Sequence, residues 1–155
     1  MSTFDHFAYG SNLSTSRLRA RCPSARPLGV GYVVGRQLRF HKQGVDGTGK
    51  ADAFYTGEHT DILWGVIYRS ALEEKPILDA CESLGDGYQH ATVEVRLADR
   101  VVSTFLYQAM PHRIDAALQP ADWYHQHVID GAREHALPSD YQQMIHRWGK
   151  AIYTS

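Results

Sequence analysis

The chain has 155 residues, 43% hydrophobic and 21% charged. This length points to one domain, 1–155, that buries roughly 70% of its unfolded-state surface. Sixteen Lys and Arg against seventeen Asp and Glu give a formal charge of −1, which supplies no long-range field for nucleic acid or an anionic membrane. The longest apolar stretches fall short of a membrane span, no secretion signal is visible, and two cysteines make no disulfide framework, so a cytoplasmic, reduced setting is expected.

In chain order, 4–9 reads as an aromatic strand broken at Gly10-Ser11-Asn12, residues that favour turns and helix caps. A short basic helix over 13–21 then stops at Pro23. The stretch 30–41 has β-branched and aromatic residues interrupted by glycines, which predicts one bent strand. A glycine-rich loop, 44–49, leads to strands over 51–56 and 62–69, the second buried on both faces. Ser70 and Glu73 have the spacing of a capping box and predict a helix over 70–84, with Pro76 either kinking it or starting its regular part. Gly85–Gly87 ends it. The run 88–97 alternates, with Ala91, Val93 and Val95 on one face, and 101–109 returns as its hairpin partner. Helices follow over 121–136 and 139–149, the last opened by a Ser139…Gln142 capping box. The order predicts an α+β fold, a small mixed barrel or strongly curved sheet with flanking helices.

Three motifs point to chemistry and fail on inspection. Gly44 through Lys50 has the glycine and lysine spacing of a phosphate loop, but Ala51 stands where a magnesium-binding Ser or Thr belongs, and strand rather than helix follows. A plain connection, or a loop lending Lys50 or Asp46 to a pocket rim, fits better. His125 and His127 are two apart on a helix and face apart, while His135 and His146 read as exposed, so no metal site is expected. Cys81 falls four residues after Ile77 on one apolar face, and Cys22 precedes a proline at a helix end; neither setting activates a thiol.

Two features survive. Glu82 adjoins the stripe that the helix turns inward with Ile77 and Leu78. A carboxylate there is driven toward a neutral pKa, where a general base works best; a solvated helix-end glutamate is the plain alternative, and Asp79 is read as a surface acid. The turn Tyr9-Gly10-Ser11-Asn12-Leu13 brings successive amides into a helix start and forms an anion-binding concavity, or simply a cap. Tyr88, Tyr107 and Tyr124 sit where they either fill a core or line a cleft.

Together, Phe7-Ala8-Tyr9-Gly10-Ser11-Asn12-Leu13, Asp46-Gly47-Thr48-Gly49-Lys50-Ala51, Trp64 to Tyr68, Leu78-Asp79 with Glu82, Tyr88, Tyr107 and the run from Tyr124 to Tyr141 resemble the γ-glutamylcyclotransferase-like family. The resemblance covers nearly the whole chain. It implies a compact α+β fold with a small barrel, Glu82 as the acid–base residue, Tyr9, Gly10, Ser11, Asn12 and Leu13 as the substrate loop, and Tyr88, Tyr107 and Tyr124 as pocket tyrosines. It implies no metal and no cofactor. Ser83 departs from the glycine that usually follows the catalytic glutamate.

The implied reaction closes a γ-glutamyl amide into 5-oxoproline and expels an amine, with the loop amides holding either the substrate α-carboxylate or the oxyanion. The alternative is a non-catalytic domain that binds a small anion or a partner on the same fold. The leaving amine is not encoded legibly; Trp123, Trp148 and Tyr153 are candidates for a homodimer contact if exposed.

Overall fold

The computed structural model describes residues 2–153, and side chains from 2 to 148. Strands β1 (Thr3–Ala8), β2 (Arg26–Val34), β5 (Ile62–Ala71), β6 (Tyr88–Arg96) and β7 (Val101–Ala109) close a barrel in the order β1-β5-β2-β6-β7, while β3 (Arg36–Gln43) and β4 (Gly49–Tyr55) form a separate two-stranded sheet. The helices are α1 (Thr15–Arg19), α2 (Lys75–Cys81), α3 (Asp122–Glu134) and α4 (Ser139–Tyr153). This is the expected α+β barrel with flanking helices. No helix among the described residues is long and apolar enough to cross a membrane.

The barrel is mixed because β1 lies parallel to β7 and antiparallel to β5. The seam that joins β2 to β6 is a single pair, Tyr32 and Arg96. Gly31 makes that approach possible: a Cβ there would lie 2.7 Å from Val95 Cγ1 and 2.8 Å from the Arg96 carbonyl. Strand β6 obeys its alternation, with Val93 and Val95 buried between exposed Thr92, Glu94 and Arg96.

Five local expectations are corrected. The single bent strand over 30–41 is two strands in different sheets, because Gly35 takes φ 88° and redirects the chain. The predicted capping box at Ser70 does not form. Ser70 is still inside β5, paired with Phe4, and a 3-10 turn at Leu72–Glu74 precedes α2, with Pro76 in its first turn. Ile77 and Cys81 do not share a buried face: both are exposed, and Leu78 is the buried residue of α2. The helix expected over 13–21 divides into a 3-10 turn, Ser11–Leu13, and α1, which Ser14 caps by accepting from the Arg17 amide at 3.4 Å. Gln142 does not complete a capping box with Ser139 either; its side-chain amide donates to the Leu137 carbonyl at 2.7 Å.

Among the aromatic candidates for a dimer contact, Trp148 packs against the core, its ring 5.6 Å from Phe40. Trp123 is exposed at the mouth of a cleft. The side chain of Tyr153 lies outside the described residues.

Candidate active site

The chain leaves the barrel at the end of β1 and crosses the sheet β3–β4 before entering α1. Gly10 is needed at this crossing, since a Cβ would fall 2.7 Å from Ala51 Cβ on β4. The following turn is held by the Leu13 amide, which donates to the Gly10 carbonyl at 3.0 Å. The amides of Gly10, Ser11 and Asn12 have no backbone acceptor among the described residues. They edge a cleft of about 330 Å³.

On the facing wall stands Glu82, the residue that closes α2. The helix stops there because Ser83 adopts φ 50° and Gly85 φ 92°. Ser83 thus occupies a left-handed position that favours glycine, which is where this chain departs from the family pattern. Asn12 Nδ2 donates to Glu82 Oε1 at 3.0 Å, and Arg21 Nη1 approaches the same oxygen at 3.6 Å. Glu82 Oε2 has no hydrogen-bond partner among the described residues. The side chain is 15% exposed. Burial raises its pKa, opposed by Arg21, the Asn12 hydrogen bond, Lys42 and Arg17.

The tyrosines wall the cleft with their rings, because their hydroxyls are engaged within the protein. Tyr9 donates to the Tyr107 carbonyl. Tyr107 donates to Asp79 Oδ1 at 2.6 Å, and Tyr88 to the Ala51 carbonyl at 2.6 Å. Tyr124 accepts from the Ala51 amide at 2.9 Å, and burial pushes its pKa up to about 12. Asp79 is therefore not the surface acid its position suggested; it also pairs with Lys75 at 2.9 Å.

Most of the expected site residues meet here: Tyr9, Gly10, Ser11, Asn12, Glu82, Tyr88, Tyr107 and Tyr124 all line the cleft. Leu13 does not. Its side chain is fully buried and its amide is already bonded. The glycine-rich loop joins β3 to β4 and has no helix behind it, so the phosphate-loop spacing is a hairpin connection. Asp46 and Lys50 reach the rim and pair at 3.1 Å.

Sequence reasoning missed Arg17, Arg21 and Lys42. The i,i+4 spacing of the two arginines in and just past α1 was a signal, since it puts them on one face. Arg17 Nε donates to Ser11 Oγ at 3.0 Å, and Arg21 Nη1 to Asn12 Oδ1 at 3.4 Å.

The remaining candidates lie apart or idle. Cys22 is buried, and its thiol is pushed up to about 11. His135 is not exposed as expected but shares hydrogen bonds with Tyr68 Oη and the Leu13 carbonyl at 2.8 and 3.0 Å. No group of three or more His, Cys, Asp or Glu side chains able to hold a metal occurs among the described residues.

Residues 62–145, more than half of the chain, match the AIG2-like family. The γ-glutamylcyclotransferase of Mus musculus is 29% identical over 150 residues, which cover 92% of this chain and 77% of that protein. The Bos taurus γ-glutamylcyclotransferase is 28% identical over the same shares. A solved γ-glutamyl cyclotransferase structure superposes with a TM-score of 0.84 at 26% identity, covering 94% of this chain and 87% of that one. With the same barrel and a cleft beside it, the chain belongs to the AIG2-like family and is an enzyme of the γ-glutamylcyclotransferase type.

Proposed function

We propose that this chain converts a γ-glutamyl amide into 5-oxoproline and a free amine, with Glu82 as its general acid and base. The observation that carries the reading is Glu82 itself. It is a sheltered carboxylate with one oxygen tied to Asn12 and the other free, set across the cleft from unpaired amides.

The substrate α-amine attacks its own γ-carbonyl carbon. A nitrogen–carbon bond forms, the original amide bond breaks, and a five-membered ring closes without water. Correct folding of such an arm supplies on the order of 7–11 kcal/mol. The amine starts as an ammonium and cannot attack. The amine sheds two protons in becoming the lactam N–H. Glu82 Oε2 takes each in turn and passes it to the departing nitrogen, which leaves as an ammonium, so one carboxylate serves both steps. The raised pKa suits this double role, because a strongly acidic carboxylate is a poor base. The unpaired amides of Gly10, Ser11 and Asn12 supply preorganised donors for negative charge. The ring walls of Tyr9, Tyr88, Tyr107 and Tyr124 shape the space for the glutamyl methylenes.

A purely binding role is the weaker reading, since the cleft is open while Glu82 is sheltered. The test is a panel of γ-glutamyl compounds in oxygen-18 water. The expected result is 5-oxoproline plus amine with no label incorporated. Release of free glutamate would make the protein a hydrolase, and no turnover of any member would leave only a binder.

A further inference from the structure

Lys42 places a charge on the cleft wall that forms no ion pair among the described residues. A strand normally alternates, yet Phe40, His41 and Lys42 of β3 are buried in succession. The cause is a bulge between Arg39 and Lys42 in the pairing with β4, a feature that re-aims side chains beside functional sites. His41 turns onto Asp52, 2.7 Å away. Lys42 turns to the cleft, where 8% of it remains exposed. Gly87 leaves room for it: a Cβ there would lie 2.9 Å from Lys42 Nζ.

The other cations of the cleft have partners or face the rim. Arg21 faces Glu82 and Lys50 faces Asp46. Arg17 is half-buried and reaches out toward the exposed Trp123 ring, 5.6 Å away. Lys42 makes no ion pair among the described residues, and its ammonium sits 4.7 Å over the Tyr88 ring. Burial lowers its pKa, with the Glu82 charge opposing. A cation–π contact replaces only part of the lost hydration.

We propose that Lys42 grips the α-carboxylate of the glutamyl arm, which leaves the Gly10–Asn12 amides for the developing oxyanion. The proposal rests on the reading of the cleft as a γ-glutamyl site. Such a substrate has one constant part, the glutamyl arm, and one variable part, the leaving amine. The constant part belongs against the enclosed wall, where the tyrosines and Lys42 are 5–8% exposed. The variable part belongs at the mouth beside Val45 and Trp123, 106% and 51% exposed. A carboxylate on Lys42 forms a charge-assisted hydrogen bond in shelter, where such bonds are strong.

The test measures calorimetric binding of 5-oxoproline, which keeps the α-carboxylate and has no leaving group, to wild type and Lys42→Met. It also measures turnover of γ-glutamyl-alanine and γ-glutamyl-alaninamide. The expected result is affinity for 5-oxoproline about tenfold weaker or more in the variant, with kcat/KM reduced by a similar factor on both substrates. The melting temperature holds or rises, because an unpaired buried charge is gone. If Lys42→Met does not fold, Lys42→Gln is measured in the same way.

Unchanged 5-oxoproline affinity, or no binding by wild type, overturns the proposal. So does a loss confined to γ-glutamyl-alanine, which would put Lys42 on the leaving group's carboxylate. Binding through Lys42 without turnover of any γ-glutamyl compound would support the Lys42 assignment and remove the catalytic reading.

Discussion

Asn12 Nδ2 donates to Glu82 Oε1 at 3.0 Å, joining the loop after β1 to the end of α2 across 70 residues of sequence. The bond fixes which carboxylate oxygen is occupied and which is free. It also stabilises the charged form of a group that burial pushes toward neutrality.

Glu82→Gln keeps the shape and removes the base, so kcat on the best γ-glutamyl substrate is expected to fall about a hundredfold or more. Stability should move the other way. A carboxylate whose folded pKa lies above its unfolded value loses stability as pH rises through that window. At neutral pH the glutamine variant should therefore melt at the same temperature or higher. Near-normal turnover would remove Glu82 from the chemistry.

Asn12→Ala withdraws the hydrogen bond that favours the Glu82 carboxylate, so the Glu82 pKa should rise further. The base must be ionised to act, so the acid limb of the kcat/KM–pH profile is expected to shift to higher pH. A limb that stays in place would mean that another group sets it.

Gly10→Ala inserts a methyl 2.7 Å from Ala51 Cβ and 3.7 Å from Tyr124 Oη. The loop must shift off β4, at a cost of roughly 1–3 kcal/mol. Thermal melts should show that loss, and kcat/KM should drop as the loop amides move. An unchanged kcat/KM would separate those amides from the reaction.

His6 is expected to make the barrel sensitive to acid. It is 1% exposed, neither ring nitrogen has a partner among the described residues, and burial lowers its pKa from 6.5 to about 4. Below pH 6.5 the unfolded chain takes up a proton that the folded chain refuses, so stability falls with pH by roughly 3 kcal/mol once pH is below 4. His6→Phe preserves the stacking with Phe4 and Tyr68 and should move the acid-unfolding midpoint to lower pH. An unmoved midpoint would show that another group governs acid unfolding.

The sequence alone determined the class of fold, the loop from Tyr9 to Asn12, the placement of Glu82 near a helix end and the alternation of β6. These follow from periodicity, turn chemistry and motif spacing, which act over a few residues. Tertiary structure alone decided who partners whom. It showed that Leu13 turns away from the cleft, that tyrosine hydroxyls are engaged by Ala51, Asp79 and the Tyr107 carbonyl, and that Arg21 shares Glu82 with Asn12. It also decided that a bulge in β3 buries Lys42. The reason is physical: a buried polar group must find a partner wherever the fold offers one, and these contacts join segments far apart in the chain, beyond the reach of any local pattern.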